Sequence, residues 1–194
     1  GIDHPKVAGY ADIVLRRKEA GARVAIIGAG GIGFDVGEFL THHGGHDETG
    51  EYLAEWGIDP DDRERGGLAA EVKSASPREV WLLQRKASKV GDGLAKTTGW
   101  IRRTLLKKRG VQMIPGVEYE RIDDAGLHIR VDGKAQLLDV DTVVVCAGQE
   151  PRRELYEPLR SAGVPVTLIG GADVAAELDA RRAIAQGTEV ALAL

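Results

Sequence analysis

Apolar residues fall along the chain in two patterns. Short, mostly apolar runs at residues 24–27, 80–83, 111–114 and 142–146 are bounded by polar or glycine-rich positions. Runs of this length predict strands buried on both faces, as in a parallel sheet. Between them, apolar positions recur at helical spacing. Pro5 followed by Val7, Tyr10, Ala11, Val14 and Leu15 predicts a helix that Gly21 stops. Residues 32–41 predict a second helix. Residues 99–109 predict a third, with Trp100, Ile101, Leu105 and Leu106 on one side and bases on the other.

A different rhythm follows. Residues 117–123 and 127–131 read as strands separated by Asp123-Asp124-Ala125-Gly126, which is hairpin chemistry. Asp132-Gly133 offers a second turn before residues 135–138, so an antiparallel meander is expected. Beyond Pro151 the pattern predicts a helix at 152–162, a strand at 166–169 and a helix at 173–186. Residues 42–78 carry the least pattern and read as an insertion with a short helix at 51–56. The fold class that fits is α/β: a Rossmann-like, doubly wound nucleotide-binding domain with an antiparallel β meander, followed by part of a second α/β domain.

The turn after the first buried run gives that fold a use. Gly28, Ala29, Gly30, Gly31, Ile32 and Gly33 spell G-x-G-x-x-G between a predicted strand and a predicted helix. The first glycine permits the tight turn. The second lets a pyrophosphate approach the backbone, and the third lets the helix pack close to the strand. The free N–H groups at the helix start then face the phosphates. At the end of the next buried run, an NAD site places Asp or Glu to receive the ribose hydroxyls. This chain has Leu83, Gln84, Arg85 and Lys86 there. Two cations suit the 2′-phosphate of NADP(H). Lys89 and Lys96, in the loop that follows, are candidates to flank the adenosine phosphate.

Three other groupings are weaker. Gly91-Asp92-Gly93-Leu94-Ala95-Lys96-Thr97 has the look of a P-loop, but Ala95 and Val90 occupy positions where that loop needs glycine. ATP hydrolysis is therefore not expected. His42, His43 and His46 with Asp47 and Glu48 resemble metal ligands but lack a metal-site spacing, and an exposed loop is expected instead. Cys146, at the end of a buried run, reads as a small hydrophobe rather than a nucleophile.

Bulk composition narrows the partners. Hydrophobic residues make up 43% and charged residues 29% of the 194 positions, an ordinary globular balance. A net charge of −4 gives no electrostatic reason to expect nucleic acid or an acidic membrane surface. The apolar runs are too short to span a bilayer. Cys146 is the single cysteine, so this chain holds neither an intrachain disulfide nor a cysteine-ligated iron–sulfur cluster, and a reducing, cytoplasmic compartment is expected. The chain opens on Gly1 and has Met113 as its single methionine, which reads as a piece of a longer protein.

Several longer stretches carry a resemblance. They are Gly1-Ile-Asp-His-Pro-Lys-Val7, residues 24–34, Leu83-Gln-Arg-Lys-Ala-Ser-Lys89, Lys96-Thr-Thr-Gly-Trp-Ile101, Met113-Ile-Pro-Gly-Val117, Cys146-Ala-Gly-Gln-Glu-Pro151 and Leu178-Asp-Ala-Arg-Arg-Ala-Ile-Ala-Gln-Gly187. In these the chain resembles the C-terminal part of bacterial NADPH-dependent 2,4-dienoyl-CoA reductases, in the old-yellow-enzyme-like group that includes trimethylamine dehydrogenase. The resemblance implies a parent with an N-terminal barrel carrying FMN, an iron–sulfur cluster and the acyl-CoA site, and a FAD domain into which an NADPH domain is inserted. Residues 23–148 would be the NADP(H)-binding domain, and 1–22 with 149–194 part of the FAD-binding domain. Electrons would pass from NADPH to FAD, cluster, FMN and substrate. Ala147 and Gly148 would contact dinucleotide where the chain returns to the flavin domain. Gly171 and Asp173 would meet the ribityl chain or pyrophosphate of FAD, with Asp173 also readable as a helix N-cap before Glu177. The helix start at Leu178, Asp179 and Ala180 would face the flavin ring. NADPH and the rest of the parent flavoenzyme are the implied partners. Two other readings stay open: an ADP-holding, non-catalytic module, and a small single-domain reductase.

Overall fold

The computed structural model describes residues 1–42, 48–73, 76–176 and 178–193. Contacts divide the chain into two units, Gly1–Ala147 and Gly148–Leu194.

In chain order the first unit contains β1 (Val7–Gly9), α1 (Tyr10–Val14), β2 (Arg23–Ile27), α2 (Gly31–Thr41), α3 (Glu48–Trp56), β3 (Glu79–Leu83), α4 (Gly99–Lys108), β4 (Gln112–Ile114), β5 (Val117–Asp123), β6 (Gly126–Val131), β7 (Lys134–Leu138) and β8 (Thr142–Val145). Five strands form a parallel sheet in the order β1-β8-β2-β3-β4, and β5-β6-β7 form a separate antiparallel sheet. The strand period of two explains the layers. Val24, Ile26, Val80, Leu82 and Val144 point to one face and pack with Phe34 and Leu40 of α2 and Leu106 of α4. Ala25, Leu83 and Val143 point to the other and pack with Val117, Leu127, Ile129 and Leu138 of the meander. Both faces of the parallel sheet are thus covered, which is why the middles of its central strands β2, β3 and β8 are apolar.

The first helix differs from its expectation. Residues 7–9 are strand, with Val7 opposite Val143, and only Tyr10–Val14 is helical. Pairing with the open edge of β8 outweighs a helical pattern that rests on few positions. Arg23 holds the other end of that region, bonding both Asp139 and Asp141. The insertion contains α3, longer than expected, and a bridge between Ile58 and Leu68.

The second unit has α5 (Tyr156–Ser161), a 3-10 turn at Gly170–Ala172 and α6 (Ala180–Leu192). Residues 166–169 are extended but join no ladder among the described residues. A strand forms only where a neighbour takes its backbone groups. The last helix starts at Ala180 rather than near residue 173. Asp179 is its N-cap and accepts from the Arg182 N–H at 2.7 Å. Asp173 is therefore not the cap, and Glu177 lies outside the described residues. Neither α5 nor α6 buries a residue, and Leu155, Ile184 and Leu192 are exposed. Among the described residues no helix is long and apolar enough to cross a membrane.

Candidate dinucleotide site

The chain leaves β2 toward β3 and β4 on one side and returns through β8 on the other. The carboxyl end of β2 is therefore a topological switch point, where open α/β sheets leave a crevice for ligands. Gly28 stands there with φ +107°, a conformation side chains rarely adopt. A Cβ on Gly28 would also lie 3.1 Å from the Cys146 carbonyl and from the Ala147 Cβ, at the end of β8.

The six turn residues divide by what surrounds them. A Cβ on Gly33 would sit 1.9 Å from the Gly28 carbonyl oxygen, so the first turn of α2 can pack on the loop only without a side chain. Ala29 is buried and Ile32 half-buried against the core. Gly30 and Gly31 are exposed, and a Cβ on either would meet nothing within 4 Å. The backbone at Gly30–Gly31, next to the open N–H groups of α2, is thus bare toward solvent. That is the cradle a pyrophosphate needs.

The loop after β3 is held in place by groups that the sequence pattern did not mark. The Gln84 side-chain amide donates to the carbonyls of Lys86 and Ser88 at 3.0 and 2.9 Å, and the Gly116 N–H donates to the Lys86 carbonyl at 3.0 Å. Arg85, Lys86 and Lys89 are exposed on this braced loop. Tyr119 of β5 lies close enough to Arg85 to feel its charge. Burial pushes the Tyr119 phenol up to about 12, an effect the Arg85 cation partly offsets. No sequence signal could have paired them, because one lies on the loop after β3 and the other on the meander.

The remaining candidates separate cleanly. Residues 90–94 are fixed by packing: a Cβ on Gly91 would lie 2.6 Å from the Phe34 ring, and Arg103 donates to the Gly91 carbonyl at 2.7 Å. His43, His46 and Asp47 lie outside the described residues, as does the side chain of Glu48; His42 is exposed. No metal-holding group of three occurs among the described residues. Cys146 is half-buried, and burial pushes its thiol up to about 12. A thiol held this high is a poor nucleophile at neutral pH. In the second unit, Gly148 has φ +83°. Gly171 and Asp173 sit on the turn before α6, where Gln186 donates to the Asp173 carboxylate at 2.9 Å and accepts from the Gly170 N–H at 2.8 Å. Leu178 and Ala180 are exposed at the start of α6.

This arrangement of glycine turn, parallel sheet and meander has known counterparts. A family model described as pyridine nucleotide-disulphide oxidoreductase matches residues 10–183. The chain belongs to the pyridine nucleotide-disulphide oxidoreductase family. Members of this family bind FAD and NAD(P)H. Curated relatives include a metal reductase of Desulforamulus reducens, 24% identical over 168 residues, and a mercuric reductase of Bacillus cereus, 22% identical over 157 residues. These alignments cover 86% and 79% of this chain but 24% and 19% of the relatives, so the chain spans about a quarter of their length or less. Among solved structures, a 2-naphthoyl-CoA reductase complex with 2-naphthoyl-CoA is similar at TM-score 0.64 and 22% identity, covering 90% of this chain and 22% of that one. An amine oxidase acting on 6-hydroxypseudooxynicotine, from Pseudomonas geniculata N1, is similar at TM-score 0.57 and 17% identity, covering 84% and 20%. Both show the shared fold. The family's disulphide chemistry has no thiol pair in this chain, whose one cysteine is Cys146.

Proposed function

We propose that residues 23–148 bind NADPH and present it to a flavin carried by a larger reductase, with residues 1–22 and 149–194 contributing to the FAD-binding part. The observation that carries this reading is the bare backbone of Gly30–Gly31 at the switch point, joined to a β3 end that offers Arg85 and Lys86 and no carboxylate. Bound there, NADPH would supply a hydride. The chain's own residues bind and orient. Gly28–Gly33 receive the pyrophosphate on backbone N–H groups. Arg85 and Lys86 receive the 2′-phosphate by charge-assisted hydrogen bonds, which Gln84 supports by fixing their loop. Lys89 lies on the same loop, and Ala147 and Gly148 would contact the dinucleotide where the chain leaves β8. Gly171 and Asp173, the latter oriented by Gln186, would meet the ribityl chain or pyrophosphate of FAD, and the helix start at Leu178 and Ala180 would face the flavin ring.

The sequence resemblance supports a 2,4-dienoyl-CoA reductase-like parent, in which FMN and an iron–sulfur cluster belong to parts outside this chain. The fold neighbour named for 2-naphthoyl-CoA adds aromatic acyl-CoA thioesters to the substrates worth assaying. Side-by-side calorimetric titration of the chain with NADPH, NADH and ADP tests the reading. A clear preference for NADPH is expected. Equal binding of ADP, with no preference for NADPH, would overturn it in favour of a nucleotide-holding module. The chain alone is expected to retain little FAD and to leave dienoyl-CoA unreduced. Stoichiometric FAD after purification, or turnover by the isolated chain, would contradict this domain assignment.

A further inference from the structure

The bases of α4 and the turn that ends it are not treated alike. Arg102 pairs with Asp35, Lys108 with Glu71 at 2.9 Å, and Arg109 with Glu55 at 2.8 Å. Arg103 and Lys107 have no carboxylate partner among the described residues; Arg103 donates only to the Gly91 carbonyl. These two bases face a cavity of about 600 Å³. Lys89 contributes a third cation from the loop after β3, and no carboxylate lines the space. Its apolar surface includes Met113 and Pro115 at the end of β4 and the indole of Trp100, which is 54% exposed.

Three cations around one space without a carboxylate repel one another. An anion in that space would relieve the repulsion, and charge-assisted bonds to phosphate are the strongest the three could make. The exposed indole and the methionine sulfur offer faces to a planar heterocycle. We infer that this cavity is a binding site for a phosphorylated adenine nucleotide, separate from the Gly28 turn. The phosphate would lie among Lys89, Arg103 and Lys107, and the base would stack on Trp100. The ligand is a second nucleotide, since the 2′-phosphate of a coenzyme held at the glycine turn is assigned to Arg85 and Lys86, neither of which lines this cavity. The inference does not require that turn to hold NADPH.

Adenosine 2′,5′-bisphosphate is the probe. The whole chain would be titrated by calorimetry with and without saturating NADPH, alongside Lys107→Gln and Trp100→Leu, whose folding is checked by circular dichroism. One equivalent bound in the presence of NADPH, weakened at least tenfold by either substitution, establishes an independent nucleotide site. Binding abolished by NADPH, with both substitutions weakening probe and NADPH alike, overturns the separate site and moves the coenzyme's phosphoadenosine from Arg85 and Lys86 to the cavity. Variant-sensitive probe binding without any NADPH binding keeps the cavity and removes the coenzyme reading. Probe affinity unchanged in both folded variants, or no probe binding at all, overturns the inference.

Discussion

Glu55 and Arg109 meet as a two-point ion pair, with Nε to Oε1 at 2.8 Å and Nη2 to Oε2 at 2.9 Å, and their side chains are only 10% and 11% exposed. The pair joins α3, in the middle of the insertion, to the end of α4. Lys108 adds to the same junction, donating to the Glu55 carbonyl at 3.1 Å and lying 4.8 Å from the Trp56 ring centroid. Removing one partner of so shielded a pair leaves the other charge uncompensated, which costs about 3 kcal/mol or more. Glu55→Ala should lower the urea midpoint accordingly. Replacing both, as Glu55→Leu with Arg109→Met, should cost much less. If the single and double variants lose equal stability, the ion pair is not what anchors the insertion.

That junction also shows where sequence reading stops. Strands β2 and β3 were legible because burial on both faces leaves apolar runs, residues 24–27 and 80–83, within them, and α2 because its glycine turn announces it. The meander was legible from its turns. Val7–Gly9 was not, because a three-residue strand has too few positions for its period to show, and its pairing with β8 comes from distant sequence. The expected strand at 166–169 failed for the opposite reason: the pattern is present, but no described neighbour completes the ladder. Helix α6 starts later than its pattern because Asp173 is engaged with Gln186 and Asp179 supplies the cap. At the candidate site the glycines and bases were readable as a local motif. Gln84 braces its own loop through Lys86 and Ser88, a local contact that no motif announces, whereas Tyr119 and the cavity beside α4 depend on contacts between separate elements.

The two ends of the glycine motif make separable demands. Gly30 has φ −83° and ψ −170°, a conformation open to any residue, and its Cβ position is empty. Gly30→Ala should leave stability within about 0.5 kcal/mol of wild type. It should nevertheless weaken NADPH at least tenfold, by placing a methyl group where the pyrophosphate approaches. Gly33→Ala drives a methyl group into the Gly28 carbonyl and should cost about 1–3 kcal/mol or more. Thermal unfolding and NADPH titration of both variants check this. Full NADPH affinity in a folded Gly30→Ala protein would move the coenzyme away from the turn.

Charge at the end of β3 should decide between the two coenzymes. A charge-assisted hydrogen bond to phosphate contributes about 1.5–3 kcal/mol. Arg85→Ala and Lys86→Ala should each weaken NADPH by about 10- to 100-fold and leave NADH nearly unchanged. The loss should shrink as salt rises, since the contact is exposed. Parallel titrations at low and high ionic strength give the result, and equal losses for NADPH and NADH would mean that the bases act on the fold rather than on the 2′-phosphate.

Cys146 gives a prediction set by pH. Its amide donates to the Ile27 carbonyl at 2.8 Å, fixing it beside the glycine turn, and burial raises its thiol from about 9 to about 12. At pH 8 the thiolate fraction should fall about a thousandfold below that of an ordinary cysteine, so iodoacetamide should label the folded chain very slowly and the urea-unfolded chain readily. The same shift links to stability. The folded state keeps the proton that the unfolded state releases, so the contribution is complete below pH 9 and is lost as pH rises from about 9 toward 12. Tyr119, raised to about 12, acts in the same direction over the upper part of that window. Cys146→Ala should therefore show a shallower loss of stability between pH 9 and 11 than wild type, measured by urea unfolding at each pH. Identical slopes, or rapid labelling of the folded chain at pH 8, would show that the thiol beside the candidate dinucleotide site is open to solvent.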